Sequence, residues 1–343
     1  METRHFGQTG VSVSKYCFGA MMFGPMGNTD EAECISMLHT ALDAGVNFVD
    51  TADAYSRGIS EEIVGKALAG RRDDVVLATK AYIPMSRDPN HQGGSRRWLI
   101  RAVEDSLRRL DTDHIDLYQL HRRDHTLDLD ESLSALDQLQ RDGKIRYAGM
   151  SATPAEWIVE ARHISDARGH VRIRSEQVIY NIFNRSIEQD VLPACDRLGI
   201  GVMTYGPLNS GWLTGKYTRD GGIPDGSRGD RMGDRGDRWE LEREANQKKF
   251  DLLDRFRALC DDAGLPMSHV AHAWAAEHPV VSSVIIGPRT PEQLDDALAS
   301  ADLRLDADLL DAIDDLVPAG TTVDAADTMR AEPQLAASAR RRG

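Results

Sequence analysis

Ile115-Asp116-Leu117-Tyr118-Gln119-Leu120-His121 is a short, mostly apolar run. Before it lies Arg97–Leu110, where Ile100, Val103, Leu107 and Leu110 recur at helical spacing. After it comes a second helical stretch marked by Leu133, Leu136 and Leu139 and closed by Asp142-Gly143. A buried strand flanked by two amphipathic helices is one unit of an alternating pattern, and the unit recurs along the chain. Comparable runs lie at Tyr16–Ala20, Asn47–Thr51, Val75–Lys80, Ile145–Ser151, Ser175–Tyr180, Gly201–Tyr205 and Ser283–Gly287. Near-continuous apolar strands alternating with helices imply a parallel sheet covered on both faces. Eight such units predict an α/β fold closed as a (β/α)8 TIM barrel.

Working outward, Arg4–Val13 reads as a β-hairpin around Gln8-Thr9-Gly10, a plug for one end of the barrel. The helix Glu31–Ala44 carries Cys34, Leu38, Ala41 and Leu42 on one stripe and stops at Gly45. Residues 1–318 are expected to form one barrel domain. Within it, 219–244 is Gly-, Asp- and Arg-rich and predicts a long flap loop. Residues 319–343 are polar and alanine-rich, with a basic end at Arg340–Arg342, and read as a loosely held tail.

The formal charge of −14 argues against nucleic acid as the main partner, because phosphate binding needs a net basic face. Cys17, Cys34, Cys195 and Cys260 are far apart and match no metal or redox spacing. With no apolar run long enough to cross a bilayer and a polar Met1–Gly10, a reduced, cytoplasmic protein is the simplest reading. His269, His272 and His278 lie near one another, yet read as a packed or solvated face rather than a metal site.

Barrels of this kind place chemistry at the carboxyl ends of their strands. The second strand ends in Asp50-Thr51-Ala52-Asp53-Ala54-Tyr55, the third in Ala78-Thr79-Lys80 and the fourth in Tyr118-Gln119-Leu120-His121. A carboxylate, a phenol, an ammonium and an imidazole would converge on one rim. A phenol is a poor proton donor near neutral pH, and a nearby ammonium lowers its pKa. Asp50 would hold Lys80, Tyr55 would give a proton to a carbonyl oxygen, and His121 would orient that oxygen. Each residue alone has a plainer reading as cap, surface aromatic or solvated side chain; the four together do not.

Asp50-Thr51-Ala52-x-x-Tyr55, Ala78-Thr79-Lys80 and Leu120-His121-Arg122-x-Asp124 resemble the signatures of the aldo-keto reductases. The subgroup looks closer to bacterial reductases and potassium-channel β-subunits than to the mammalian aldose reductases. The resemblance implies NADPH as cofactor, a small-molecule carbonyl as substrate, no metal, and Tyr55, Lys80, Asp50 and His121 as the catalytic set.

No Gly-x-Gly-x-x-Gly follows the first strand, so the cofactor is not held in the Rossmann manner. The resemblance assigns Gly19, Met21 and Asp50 to its neighbourhood, and Ser151 and Gln177 to the nicotinamide carboxamide. The usual Asn after that serine is Ala152 here, and Ser151 alone would pass for a cap before Pro154. Tyr205, followed by Gly206 and Leu208, would stack on the nicotinamide, unless it is a core tyrosine; Gly215-Lys216 resembles a pyrophosphate-binding turn, although a solvated lysine fits as well. Ile286-Gly287-Pro288-Arg289-Thr290-x-x-Gln293 joins a strand end to a capped helix N-terminus, a ready anion site. By resemblance Arg289 meets the 2′-phosphate, which favours NADPH over NADH.

Met22, Phe23 and Tyr82 are expected to line the substrate pocket with Tyr55 and His121, and Trp212 is a further candidate. Two other readings compete: an NADP(H)-binding regulatory β-subunit with little turnover, and a metal-dependent sugar isomerase. The second needs clustered carboxylates and histidines at strand ends, where only Asp50 and His121 fit. A third, reduction of a carbon–carbon double bond, is associated in the family with Glu in place of His121.

Overall fold

The computed structural model describes residues 1–232, 239–328 and Ala339. Eight parallel strands close on themselves in the order β10-β3-β4-β5-β6-β7-β8-β9. They are β3 (Tyr16–Gly19), β4 (Phe48–Asp50), β5 (Val76–Ala81), β6 (Ile115–Leu120), β7 (Ile145–Ser151), β8 (Ile173–Ile179), β9 (Gly201–Tyr205) and β10 (Val281–Ile286). Every run expected from the sequence is a barrel strand, with ends shifted by no more than two residues. The helices α1 (Glu31–Asp43), α2 (Ile59–Leu68), α3 (Arg96–Leu110), α4 (Leu129–Arg141), α5 (Ala155–Arg168) and α6 (Val191–Leu198) follow successive strands.

Side-chain alternation divides the core in two. Cys17, Phe48, Ala78, Leu117, Met203 and Ile285 point inward and fill the barrel. Their neighbours Tyr16, Phe18, Val49, Leu77, Tyr118 and Val202 point outward, against the helices. The predicted hairpin is present as β1 (Thr3–His5) and β2 (Ser12–Ser14), paired antiparallel. Its Phe6 meets Phe48 edge to face at 5.4 Å, and Phe6 and Val13 complete the inner cluster from below. Gly201 permits this approach: a Cβ there would lie 2.7 Å from the Phe6 ring.

Two segments differ from expectation. The stretch after Arg219 contains a short helix, α7 (Arg228–Met232), and Trp239, which is buried. Trp239 stacks on Trp212 at 6.3 Å and packs against Tyr217, while Phe250 of α8 (Glu244–Asp262) closes the cluster. The sequence reads as a bare loop because its one anchoring aromatic sits among Gly, Asp and Arg. Residues 233–238 lie outside the described residues.

The tail is the second case. From Ala319 to Thr328 the chain packs on the barrel, with the Val323 amide donating to the Phe183 carbonyl at 2.9 Å. Asp324 and Asp327 are buried, and buried Lys249 reaches both, at 3.2 and 2.7 Å. A polar segment can dock this way when its carboxylates meet a buried cation, which hydropathy does not register. The basic end at Arg340–Arg342 lies outside the described residues. Among the described residues, no helix is long and apolar enough to cross a membrane.

Candidate active site

The same alternation that fills the lower barrel with hydrocarbon puts a polar layer above it. Two residues beyond Phe48 is Asp50; two beyond Ala78 is Lys80; two beyond Leu117 is Gln119, and then His121. Register aligns them, since Asp50 pairs with Ala78 and Lys80 with Gln119 across adjacent strands. Lys80 is fully buried. Its ammonium donates to Asp50 Oδ2 at 2.6 Å, to the Thr51 carbonyl at 2.7 Å and to the Tyr55 hydroxyl at 3.3 Å. The Tyr55 and His121 rings meet edge to face at 5.7 Å. All four residues expected to act together are together.

Tyr55 lies not on a strand but on a turn whose backbone is strained. Ser56 and Arg57 have φ of 49° and 56°, in the left-handed region that non-glycine residues avoid. The Ser56 hydroxyl holds the turn by donating to the Phe23 carbonyl at 2.7 Å, and the Tyr55 amide bonds back to Ala52.

Electrostatics assigns the protons. Burial pushes the Tyr55 phenol up, the Lys80 charge and hydrogen bond pull it down, and burial wins. The expected lowering by Lys80 is therefore present but outweighed, and the phenol is protonated at neutral pH. Burial alone would depress Lys80; the Asp50 charge and the contacts to Asp50 and Tyr55 reverse this and keep it an ammonium. Burial, then the charges of Lys80 and Arg122, hold His121 well below its ordinary value, so its imidazole is neutral. A neutral imidazole carries one N–H donor. One rim thus presents a phenol, an ammonium and a neutral imidazole, a set suited to stabilising and protonating an oxyanion.

The proposed cofactor residues group as follows. Gln177 Nε2 donates to Asp50 Oδ1 at 2.9 Å, and among the described residues no protein donor reaches its Oε1. Ser151 is not a helix cap: its hydroxyl donates to the Gln177 carbonyl at 3.0 Å. Ala152 has φ of 53°, a left-handed conformation costing an alanine roughly 1 kcal/mol more than an asparagine. A small cavity lined by Ala152, Val178, Tyr205 and Thr328 opens beside it. Gly19 is glycine because a Cβ would meet Ile285 at 2.6 Å, whereas Gly287 faces open space. Gly206 and Gly215 have φ of 69° and 76°.

After β10, Thr290 caps α10 (Pro291–Ala299) as expected: the Gln293 amide donates to Thr290 Oγ1, and the Arg289 amide, one residue before the cap, donates to Gln293 Oε1 at 2.9 Å. Asn28 Nδ2 donates to the Arg289 carbonyl at 3.0 Å, fixing the turn. Burial, and then the like charges of Arg289, Arg231 and Arg228, depress Lys216. Four cations from three separate segments therefore lie close enough to feel one another's charge. Arg228 and Arg231 of α7 have no sequence signal beyond belonging to an arginine-rich loop.

The substrate-side expectations divide. Tyr82 is partly exposed, close enough to Asp124 and Arg122 to feel their charges. Met22 is buried against Gly27. Phe23 is fully buried and packs on Phe18 at 5.5 Å, in the outer core rather than in a pocket. Trp212 is likewise buried, in the aromatic cluster described above. In both cases a large apolar side chain in a rim loop satisfies the core first. Leu120, Arg122, Met150, Thr153 and Trp157 line another small cavity, flanking His121 in sequence.

Asp53, in the same strand end as Asp50, carries no signal of its own in the sequence. It is buried, and among the described residues no well-formed hydrogen bond reaches either carboxyl oxygen. Burial, then the Glu61 charge, pushes its carboxyl from the ordinary 3.8 up to about 8, against the pull of Arg109, the Ala54 amide and Lys80. Between those values the folded state keeps a proton that the unfolded chain has lost, so stability falls as pH rises through the window. Asp53→Asn should remove up to about 1.4 kcal/mol of that fall per pH unit. Urea unfolding of both proteins at about pH 5 and about pH 8 checks it: the gain must grow toward the higher pH.

Among the described residues, no group of three or more His, Cys, Asp or Glu side chains could hold a metal ion. His269 pairs with Asp296 at 2.9 Å, and burial takes His272 down to about 4.

Comparison with known proteins agrees with this geometry. The family model described as "Aldo/keto reductase family" matches residues 15–318. An uncharacterized oxidoreductase, YrpG, of Bacillus subtilis (strain 168) is 38% identical over 330 residues, covering 93% of this chain and 96% of that protein. A probable voltage-gated potassium channel subunit beta of Oryza sativa subsp. japonica is 34% identical, covering 92% and 97% of the two chains. The aldo-keto reductase YhdN of Bacillus subtilis (strain 168) is 33% identical, covering 86% and 87%. With a matching family model over most of its length, an eight-stranded parallel barrel and relatives named as oxidoreductases, the chain belongs to the aldo/keto reductase family.

Proposed function

We propose that the protein is an NADPH-dependent reductase of aldehydes or ketones, with Tyr55 as proton donor. The observation that carries this reading is the Lys80 ammonium, which touches Asp50 and Tyr55 at once beside a neutral His121. A bound nicotinamide would supply the hydride. The protein's share is to orient the carbonyl oxygen between Tyr55 and His121, hold Lys80 charged near the forming oxyanion, and deliver the phenolic proton to it. In the reverse direction Tyr55 would accept a proton from the alcohol. The four buried cysteines are all free, in keeping with a cytoplasmic location.

The residues fit NADPH. Gln177 Oε1 has no protein partner among the described residues and suits a carboxamide N–H. Gly287 leaves open space, and Lys216, Arg228, Arg231 and Arg289 crowd like charge where phosphates would relieve it. Arg289→Ala should weaken NADPH about 10- to 100-fold and NADH by less than about threefold, as loss of a charge-assisted contact to one phosphate would. Fluorescence titration with both nucleotides measures it; equal losses would remove the 2′-phosphate assignment.

Steady-state NADPH oxidation with a broad substrate such as nitrobenzaldehyde tests the activity. The plant relatives named as channel β-subunits favour a second reading, tight NADPH binding with little turnover. Binding without oxidation of any of a panel of aldehydes would support that reading against ours.

A further inference from the structure

Gln119 belongs to the polar layer but to none of the roles above. It is fully buried inside the barrel, two residues before His121 on the same face of β6. Its Nε2 donates to Asp50 Oδ1 at 3.3 Å, and its Oε1 accepts from the Ser175 hydroxyl at 3.5 Å. The amide orientation follows from chemistry, because a carboxylate can only accept. Room is made from the next strand: a Cβ on Gly149 would stand 2.2 Å from Ser175 Oγ and 3.0 Å from Gln119 Cγ. Three residues on three strands thus accommodate one amide where Leu117 and Met203, one layer below, pack as hydrocarbon.

Two long hydrogen bonds compensate poorly for burying an amide, so stability alone favours an apolar side chain at this position. What the amide does gain is a hold on Asp50. The carboxylate accepts from Gln119 and Gln177 on Oδ1 and from Lys80 on Oδ2. Gln177 is also a proposed cofactor contact; Gln119 is not. We infer that Gln119 is a positioning residue for the reaction, fixing the Asp50 carboxylate independently of the cofactor so that Lys80 stays on Tyr55. This rests on the proposed role of Tyr55 as proton donor.

The charged and titratable groups facing Tyr55 are Lys80 from β5, Asp50 from β4, and His121 and Arg122 after β6. If the carboxylate turns, Lys80 leaves the phenol and its downward pull is lost. The phenol then titrates at higher pH, and the alkaline limb of kcat moves up with it.

Gln119→Met keeps the volume and removes both amide contacts. The expected kinetic result is kcat about tenfold lower, KM for NADPH and aldehyde within about twofold, and the alkaline limb displaced upward. Ser175→Ala, which frees the far end of Gln119, should move the same quantities less, and serves if Gln119→Met fails to fold. A crystal structure of either variant gives a readout that needs no turnover: Lys80 Nζ should lie beyond hydrogen-bonding distance of the Tyr55 hydroxyl. Unchanged kcat and pH limb, or an unchanged Lys80–Tyr55 contact, would overturn the inference, as would a raised NADPH KM at constant kcat. A native protein that binds NADPH but turns over no aldehyde would sink the proposed function, and the crystallographic result would still decide the role of Gln119.

Discussion

Tyr55→Phe is expected to lower kcat for NADPH-driven aldehyde reduction by about 10²- to 10⁴-fold, the range usual for removing a general acid. The ring, its edge contact with His121 and its place on the strained turn all survive the change, so nucleotide binding should hold within about threefold and the melting temperature should move little. The reason for a large loss is that neither neighbour is a ready acid: Asp50 holds the Lys80 ammonium to its proton, and neutral His121 would have to give up its last N–H proton. Turnover assays on the two proteins, with NADPH titrations alongside, make the comparison. Retention of more than about a tenth of the activity would mean that another group delivers the proton.

The second large effect is on stability. Lys80→Met strands the buried Asp50 carboxylate with only amide donors, and removing one partner of a buried pair costs about 3–5 kcal/mol. Asp50→Asn/Lys80→Met removes both charges, and much of that loss should return. Chemical denaturation of the native protein, both single variants and the double variant closes the cycle. A double variant no more stable than Lys80→Met would show that lost packing, rather than the uncompensated charge, sets the cost.

Much of this was legible in the sequence, and the physical reason is periodicity. Eight apolar runs separated by helical stretches leave few alternatives to a closed parallel barrel, and strand ends then nominate Asp50, Lys80 and His121. Gln119 is equally accessible, since period two from His121 puts it inside the barrel, but a glutamine carries no charge that would nominate it for proton chemistry. Asp53 could not be singled out, because its perturbation comes from burial and from the Glu61 charge, neither of which the local sequence registers. An aromatic in a rim loop reads the same in sequence whether it faces a pocket or the core, and the structure packs Phe23 and Trp212 among other aromatics. Arg228 and Arg231 gain meaning only once α7 brings them to Lys216 and Arg289. Lys249 reaches Asp324 and Asp327 over a sequence separation that no local pattern spans.

Asp50, Lys80 and Gln119 project from the inner faces of three adjacent strands whose register the barrel closure fixes. The segments around Tyr82, Ala152 and Thr328 belong to the connections and the carboxy-terminal strap, outside that ladder. The buried Asp50–Lys80–Gln119 network and the rim connections are therefore under separate structural control. A rim connection such as the one around Tyr82 can be rewritten with the register of that network inherited intact, whereas the turn that carries Tyr55 cannot be changed so freely.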